Sequence, residues 1–222
     1  MKTDELIWDG VRLSSTIGEE WMAARTAVAN AARDYDWPRL LALLAEHDEL
    51  VNSTRPDGPS LYAPLHQAAH GGAPVEVVVR IVGMGARRTL LTTRDERPRD
   101  VAARKGHTRL LRALEPVLQH HVPADVLARI QASFHEVIRS GADEFVREHQ
   151  LRLPELEPLL EIRQAPVYFA VPGMHGVFSY TLEADGEQSR LVVESWCRLA
   201  GGSGQRHVVS AAGSTLVDEG FV

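Results

Sequence analysis

The chain has 222 residues, 44% hydrophobic and 24% charged, with a formal net charge of −6, and these fractions are typical of a globular protein rather than a disordered one. Its single cysteine excludes an internal disulfide and favours a reducing compartment. The acidic N-terminal segment MKTDELIWDG lacks the apolar core of a signal peptide, and no apolar run approaches a membrane-spanning length. We therefore expect a cytoplasmic protein that has no membrane partner.

The N-terminal residues 1–20 are predicted to form an arm or a short hairpin that docks on the first helix. Thr16 and Glu19 have the spacing of a capping box, in which a hydroxyl and a carboxylate three residues later satisfy the first backbone N–H groups of a helix. A helix is therefore expected to follow and to continue to Ala32.

Residues 63–114 contain two copies of one pattern, which reads APLHQAAHGG in the first copy and RPRDVAARKGH in the second. Three positions of the first copy recur 34 residues later: Pro64, Ala68 and Gly72 correspond to Pro98, Ala102 and Gly106. Proline is tolerated in the first turn of a helix, where its missing N–H would be unpaired anyway, and glycine closes a helix in the left-handed conformation. A fixed period of this length is typical of stacked helical units.

A weaker copy precedes these two. Its pair Ala31-Ala32 lies 37 residues before Ala68-Ala69, and a leucine-rich helix follows it at residues 39–45. Two segments between the helices, residues 52–61 and 87–97, are predicted to project as turns, the first because it is rich in Pro, Gly, Asp and Ser.

At these residues the chain resembles the ankyrin-repeat family, whose pattern runs Thr-Pro-Leu-His, Ala-Ala, Gly-His, then a Leu/Val helix and Gly-Ala. Ala63 replaces the threonine, His66 is the histidine of the pattern, and Arg99-Asp100 stands where the second copy would have Leu-His. The resemblance covers residues 21–120, as about three repeats of which the first is degenerate. It implies a stack of helix pairs whose finger-like turns and first helices line a concave groove that binds proteins.

Residues 121–222 are predicted to form a second domain, which resembles no family that we recognise. Helices are expected over residues 123–162 and antiparallel strands over residues 166–222, with a hairpin at Asp185-Gly186. The predicted fold class is therefore α+β: a short ankyrin-like helical repeat stack followed by a small α+β domain with an antiparallel β-meander.

Charge is distributed unevenly along the chain. Basic and acidic residues balance over residues 1–120, 16 against 16, whereas residues 121–222 carry 8 against 14. Ten basic residues lie between Arg80 and Arg112, opposed by three acidic ones. This stripe is interpreted either as a solvated face that complements the acidic half or as a surface for an acidic partner. A nucleic-acid partner is not expected, because the pI is about 5.9 and no nucleic-acid-reading motif is present.

The histidines of the chain do not form a recognisable metal site. His66 and His70 have the i, i+4 spacing of zinc-peptidase helices, but Gln67 stands where the water-activating glutamate would be. The adjacent His120 and His121 would point apart on a helix. We therefore expect no metal, no cofactor and no catalytic residue.

The favoured hypothesis is a non-enzymatic protein–protein interaction module that binds a protein partner through the ankyrin groove, with an inhibitor or immunity-type protein as one specialisation. Aromatic and arginine side chains dominate binding energy at such surfaces. The candidate partner-binding residues are Arg55, Asp57, Tyr62, Arg87, Arg88, Arg94, Asp95 and Arg97.

The alternative hypothesis is a small-molecule binder or enzyme whose site lies in residues 121–222. Its candidate site residues are His175, Glu194, Trp196, Arg206 and His207. Cys197 beside a histidine is a possible nucleophile, but its predicted position on the Val193 face of a strand indicates a buried thiol. Convergence of His175 and His207 in a cleft would favour this alternative.

Overall fold

The computed structural model of the chain describes residues 6–16, 18–197 and 203–220, without the side chains of Cys197 and Ser203. These residues form two compact units, one of residues 11–117 and one that joins residues 6–10 to the described chain from Leu118 onward. The first unit is helical, and the second combines a long helix with a six-stranded sheet, so the predicted α+β class is confirmed. None of the helices in the described ranges has the length and apolar character that a membrane crossing requires.

Helix pairs build the helical unit. Its helices are α1 (Glu19–Arg33), α2 (Trp37–Glu46), α3 (Pro64–Gly71), α4 (Val75–Gly83) and α5 (Pro98–Arg104), with short 3-10 helices at Ser14–Thr16, Asp48–Leu50 and Thr108–Leu110. α3 contacts both α1 and α5, whereas α2 contacts α1 and α4. The unit therefore has two layers, with α1, α3 and α5 in one of them.

The ends of these helices follow from local chemistry. Pro64 and Pro98 occupy the first turns of α3 and α5. Gly72 and Gly106, which follow the two helices, have φ values of +62° and +77°, a conformation that side chains with a Cβ disfavour. The predicted capping box at Thr16 is wrong, because α1 begins at Glu19 after Gly18, and no side chain in the described part of the chain caps it.

Small and branched apolar residues fill the space between the two layers. Ala68, Ala69 and Ala102 are fully buried, and their short side chains let α3 and α5 lie close together. Fully buried residues of the other layer are Leu40, Leu44, Val78, Ile81, Leu110 and Leu114. Burial of such residues is the main source of stability for helices of only seven to ten residues.

The second unit contains helix α6 and a sheet whose strands lie in chain order. The elements are β1 (Leu6–Ile7), α6 (Ala124–Glu148), a 3-10 helix at Glu157–Glu161, β2 (Val167–Val171), β3 (Gly176–Glu183), β4 (Arg190–Cys197), β5 (Ser203–Ser210) and β6 (Gly213–Gly220). β2 to β6 form an antiparallel meander, and β1 pairs with β2 in parallel. α6 bends at Ala142, whose backbone is not helical, and then continues to Glu148.

The predicted N-terminal arm is not a hairpin. Residues 6–8 instead extend the sheet, where Trp8 donates its backbone N–H to Tyr168 O at 2.8 Å and its Nε1–H to Arg152 O at 2.9 Å. Arg152 in turn donates its backbone N–H to Gly10 O at 2.8 Å, and its guanidinium lies 5.1 Å from the Trp8 ring centre. These contacts bury Trp8 and make the segment part of the α+β unit.

Candidate functional site

The two predicted turns are held against the helical unit and against each other. We call residues 52–61 the first finger and residues 87–97 the second finger. Thr92 closes the tip of the second finger, because its backbone N–H donates to Glu96 O at 3.1 Å and its Oγ1 accepts the backbone N–H groups of Arg94 and Glu96, each at 3.2 Å. Thr93 donates its backbone N–H to Ser60 O at 3.2 Å, which joins the two fingers directly.

The buried side chain of His66 connects α3 to the second finger. Its Nδ1 accepts the backbone N–H of Ala63 at 3.3 Å, so the ring proton resides on Nε2, which donates to Leu90 O at 3.1 Å. The side chain is 1% exposed. Both ring nitrogens thus bond the backbone, and His66 acts as a structural link. Asp100, the equivalent residue of the second copy, repeats half of this arrangement by accepting the backbone N–H of Arg97 at 3.0 Å.

Exposed and half-buried side chains at equivalent repeat positions meet above this link. Tyr62 and His70 of the first copy correspond to Glu96 and Arg104 of the second, at the same offset that relates Pro64 to Pro98. Arg104 donates from Nη2 to the Tyr62 hydroxyl at 3.1 Å and from Nε to Glu96 Oε1 at 2.5 Å. The bond from Arg104 lowers the pKa of the Glu96 carboxyl below its ordinary value. The Tyr62 ring stacks on His66 at 5.6 Å and meets the His70 ring edge-on at 5.8 Å.

Tyr35 extends this group to the degenerate first repeat. It corresponds to Gly72 at the offset that relates Ala31-Ala32 to Ala68-Ala69, and it shares the left-handed backbone of that glycine with a φ of +61°. A side chain in that conformation costs about 1 kcal/mol. The ring nevertheless remains 41% exposed, and its hydroxyl hydrogen-bonds His70 Nδ1 at 2.8 Å. The ring also lies so close to Gly71 that a Cβ there would be 2.5 Å from it.

We call Tyr35, Tyr62, His70, Glu96 and Arg104 the aromatic–basic row. Burial, and then the positive charges of Lys105, Arg104 and His107, lower the pKa of His70, so its ring binds a proton less readily than a free histidine. Each member of the row contacts the next, and the row is therefore preorganised before any partner binds. Its side chains offer stacking, hydrogen bonds and a guanidinium, the contacts that dominate protein interfaces.

The candidate residues of the first finger are partly engaged in the fold. Arg55 donates from Nη2 to the Asn30 side chain on α1. Asp57 is exposed at a φ of +57°. Hydrogen bonds from the Ser14 side chain and from the Ser14 backbone N–H, the latter at 3.1 Å, lower the pKa of Asp57. Tyr62, which follows the finger, belongs to the aromatic–basic row.

The candidate residues of the second finger occupy different places. Arg94 and Asp95 are exposed at the tip, whereas Arg87, Arg88 and Arg97 are half-buried. Arg88 donates from Nε to the backbone carbonyl of Ala113, which follows α5, at 3.1 Å. Only the tip residues therefore extend the exposed surface.

Sequence reasoning overlooked four members of the row: Tyr35, His70, Glu96 and Arg104. The repeat period itself was the missing signal. The offset from Pro64 to Pro98, applied to Tyr62 and His70, gives Glu96 and Arg104, and the longer offset to the first copy relates Gly72 to Tyr35. At the positions of the row the residue type differs between copies and the side chains remain exposed or half-buried.

The register of the sheet separates the residues of the alternative site. Glu194 pairs with Arg206, and Arg206 Nε donates to Glu194 Oε1 at 2.8 Å on the face that also carries Trp196. His207 follows Arg206 along β5 and so points to the opposite face, with the buried residue Val193 as its partner. The five candidates therefore do not share one face of the sheet.

His175 and His207 do not converge. His175 lies in the turn between β2 and β3, immediately before Gly176, which pairs with Cys197. His207 pairs with Val193, four residues further along β4, and four residues of strand span about 13 Å. The convergence that would have favoured a small-molecule site is thus not observed, while the Cys197 thiol lies outside the described atoms.

Comparison of the chain with protein-family models, with curated proteins and with solved structures gives no match.

Proposed function

We propose that the chain is a non-enzymatic protein-interaction module of the cytoplasm, that residues 21–120 form an ankyrin-like repeat stack, and that the stack binds a protein partner. The contact surface consists of the aromatic–basic row and the tips of the two fingers. Three features support the ankyrin-like assignment: the two-layer arrangement of helix pairs, the left-handed residues at equivalent repeat positions, and the link from His66 to the next finger.

The single observation that carries this proposal is the position of the aromatic–basic row. Repeat positions such as Ala68 and Ala102 are identical and buried, because they hold the stack together. The row occupies equivalent positions whose residues differ between copies and remain accessible. Tyr35 adds a strained backbone, which persists although glycine would remove the strain. These are the properties of a surface retained for contact with another molecule.

The energetics of the row suit a protein partner. Tyrosine and arginine bury a large area and make directed hydrogen bonds, and they are enriched among residues whose truncation weakens binding most. Because Tyr62, His70 and Arg104 already hold one another in place, a partner loses little side-chain entropy when it docks on them.

The double substitution Tyr62→Ala/Arg104→Ala should weaken binding of the partner at least about tenfold, since it removes the centre of the surface. The partner is first captured from native lysate on the immobilised chain, then purified, and its dissociation constant is measured with both proteins in solution. Val79→Ala/Arg80→Ala is the matched control, because both side chains are exposed on α4 of the same unit. Equal affinities for the two folded double variants would refute the proposed surface.

A further inference from the structure

We propose, building on the function above, that the bound partner segment is acidic and that its carboxylates pair with a basic cluster beside the aromatic–basic row. The basic cluster consists of His70, Arg104, Lys105, His107 and Arg109. It lies where α3 and α5 end, at Gly71 and Arg104.

Direct contacts hold His107 and Arg109 at the end of α3, and Arg104 and Lys105 lie nearby. His107 Nε2 hydrogen-bonds the backbone carbonyl of His70 at 3.1 Å, and Arg109 Nη2 donates to Gly72 O at 2.6 Å. A Cβ at Gly72 would lie 2.6 Å from the His107 ring. Arg104 and Lys105 lie near enough to His70 for their charges to act on its ring.

The cluster carries more positive charge than its surroundings neutralise. Within the described chain, Glu96 is the carboxylate that pairs with it, and it bonds Arg104. Lys105 and Arg109 are exposed, and neither has a carboxylate partner among the described residues. Cations at a helix end do complement the helix dipole, which accounts for the bond from Arg109 to Gly72 O. The Lys105 side chain makes no comparable bond to any described residue and remains available for a negative charge from outside.

Mutual repulsion within the cluster supports the same conclusion. The pKa of His70 is lowered by burial and further by Lys105, Arg104 and His107, so these groups raise the cost of another positive charge. An approaching carboxylate reverses that effect and forms charge-assisted hydrogen bonds with Lys105 and Arg109.

An acidic polypeptide suits this site better than a nucleic acid. The chain carries a net charge of −6, and its acidic excess lies in residues 121–222, which disfavours a long polyanion. The basic cluster is also compact, whereas a nucleic-acid backbone needs a basic track that follows several phosphates.

A random 12-residue peptide library displayed on phage, selected on the full-length chain, provides the test. We expect Asp and Glu to be enriched in the selected peptides. The best peptide, labelled with fluorescein, should bind at least about tenfold more weakly to Lys105→Glu/Arg109→Glu and should weaken as salt is raised. Arg80→Glu is the matched control on α4. Lys105→Glu alone serves if the double variant fails to fold, because the Lys105 side chain makes no hydrogen bond in the described structure.

The outcomes separate this inference from the function on which it rests. If selected peptides need Tyr62 and Arg104 but lack acidic enrichment, or bind the Lys105→Glu variant unchanged, the surface stands and the acidic partner is refuted. If their binding is insensitive to both pairs of substitutions, both proposals fail. A labelled twelve-nucleotide oligothymidine that binds more tightly than every peptide, and loses affinity in Lys105→Glu, would overturn the acidic peptide in favour of nucleic acid.

Discussion

Replacing His66 with alanine should lower the free energy of unfolding by about 3 to 5 kcal/mol. The His66 ring is 1% exposed and satisfies the Ala63 N–H at 3.3 Å and the Leu90 carbonyl at 3.1 Å. Alanine leaves both backbone groups unpaired, at about 1 to 3 kcal/mol each, and opens a cavity under the second finger. Urea denaturation followed by circular dichroism at 222 nm measures the change.

His70→Ala is the matched control for this prediction, because His70 lies one helical turn later on α3 and is only half-buried. Its loss removes the hydrogen bond to Tyr35 at a half-buried position, so the free energy of unfolding should change by about 1 kcal/mol or less. If the two alanine variants are equally stable, His66 does not link α3 to the second finger.

Replacing Gly72 with alanine should lower the free energy of unfolding by about 1.5 to 2.5 kcal/mol. The backbone φ of +62° costs a residue with a Cβ about 1 kcal/mol. The added Cβ would also lie 2.6 Å from the His107 ring, which must move and give up its bond to His70 O. Loss of that bond contributes about 0.5 to 1.5 kcal/mol, and thermal or urea unfolding detects the sum.

Gly106→Ala separates the two causes. Gly106 has the same left-handed backbone, at a φ of +77°, but a Cβ there meets no atom of the described residues within 4 Å. This variant should therefore show the conformational cost alone, about 1 kcal/mol. A loss at Gly106 as large as that at Gly72 would mean that the contact with His107 has no energetic weight.

Much of the helical unit was predictable because the residues that begin and end its helices act on the neighbouring backbone. Pro64 and Pro98 start helices, while Gly72 and Gly106 end them, for reasons that involve only the neighbouring backbone. The meander was predictable for a similar reason, since strands β3 and β4 alternate apolar and polar residues on either side of a turn-forming segment.

The failures of the sequence analysis involve contacts between distant residues. Nothing near Leu6 reveals that it pairs in parallel with Val167, because a two-residue strand has too little pattern to predict its partner. The link between Tyr62 and Arg104 joins residues 42 positions apart. The separation of Arg206 from His207 was within reach, since neighbours along a strand point to opposite faces.

The most direct test of the protein-binding surface is site-specific photo-crosslinking. The full-length chain, with p-benzoylphenylalanine in place of Tyr62, Val79 or Trp196, is irradiated in native lysate. The proposed function predicts a discrete protein adduct from position 62, which disappears when Arg104→Ala is added, and no comparable adduct from exposed position 79 on α4. Equal labelling at all three positions, or a discrete adduct from position 196 alone, would contradict the proposal.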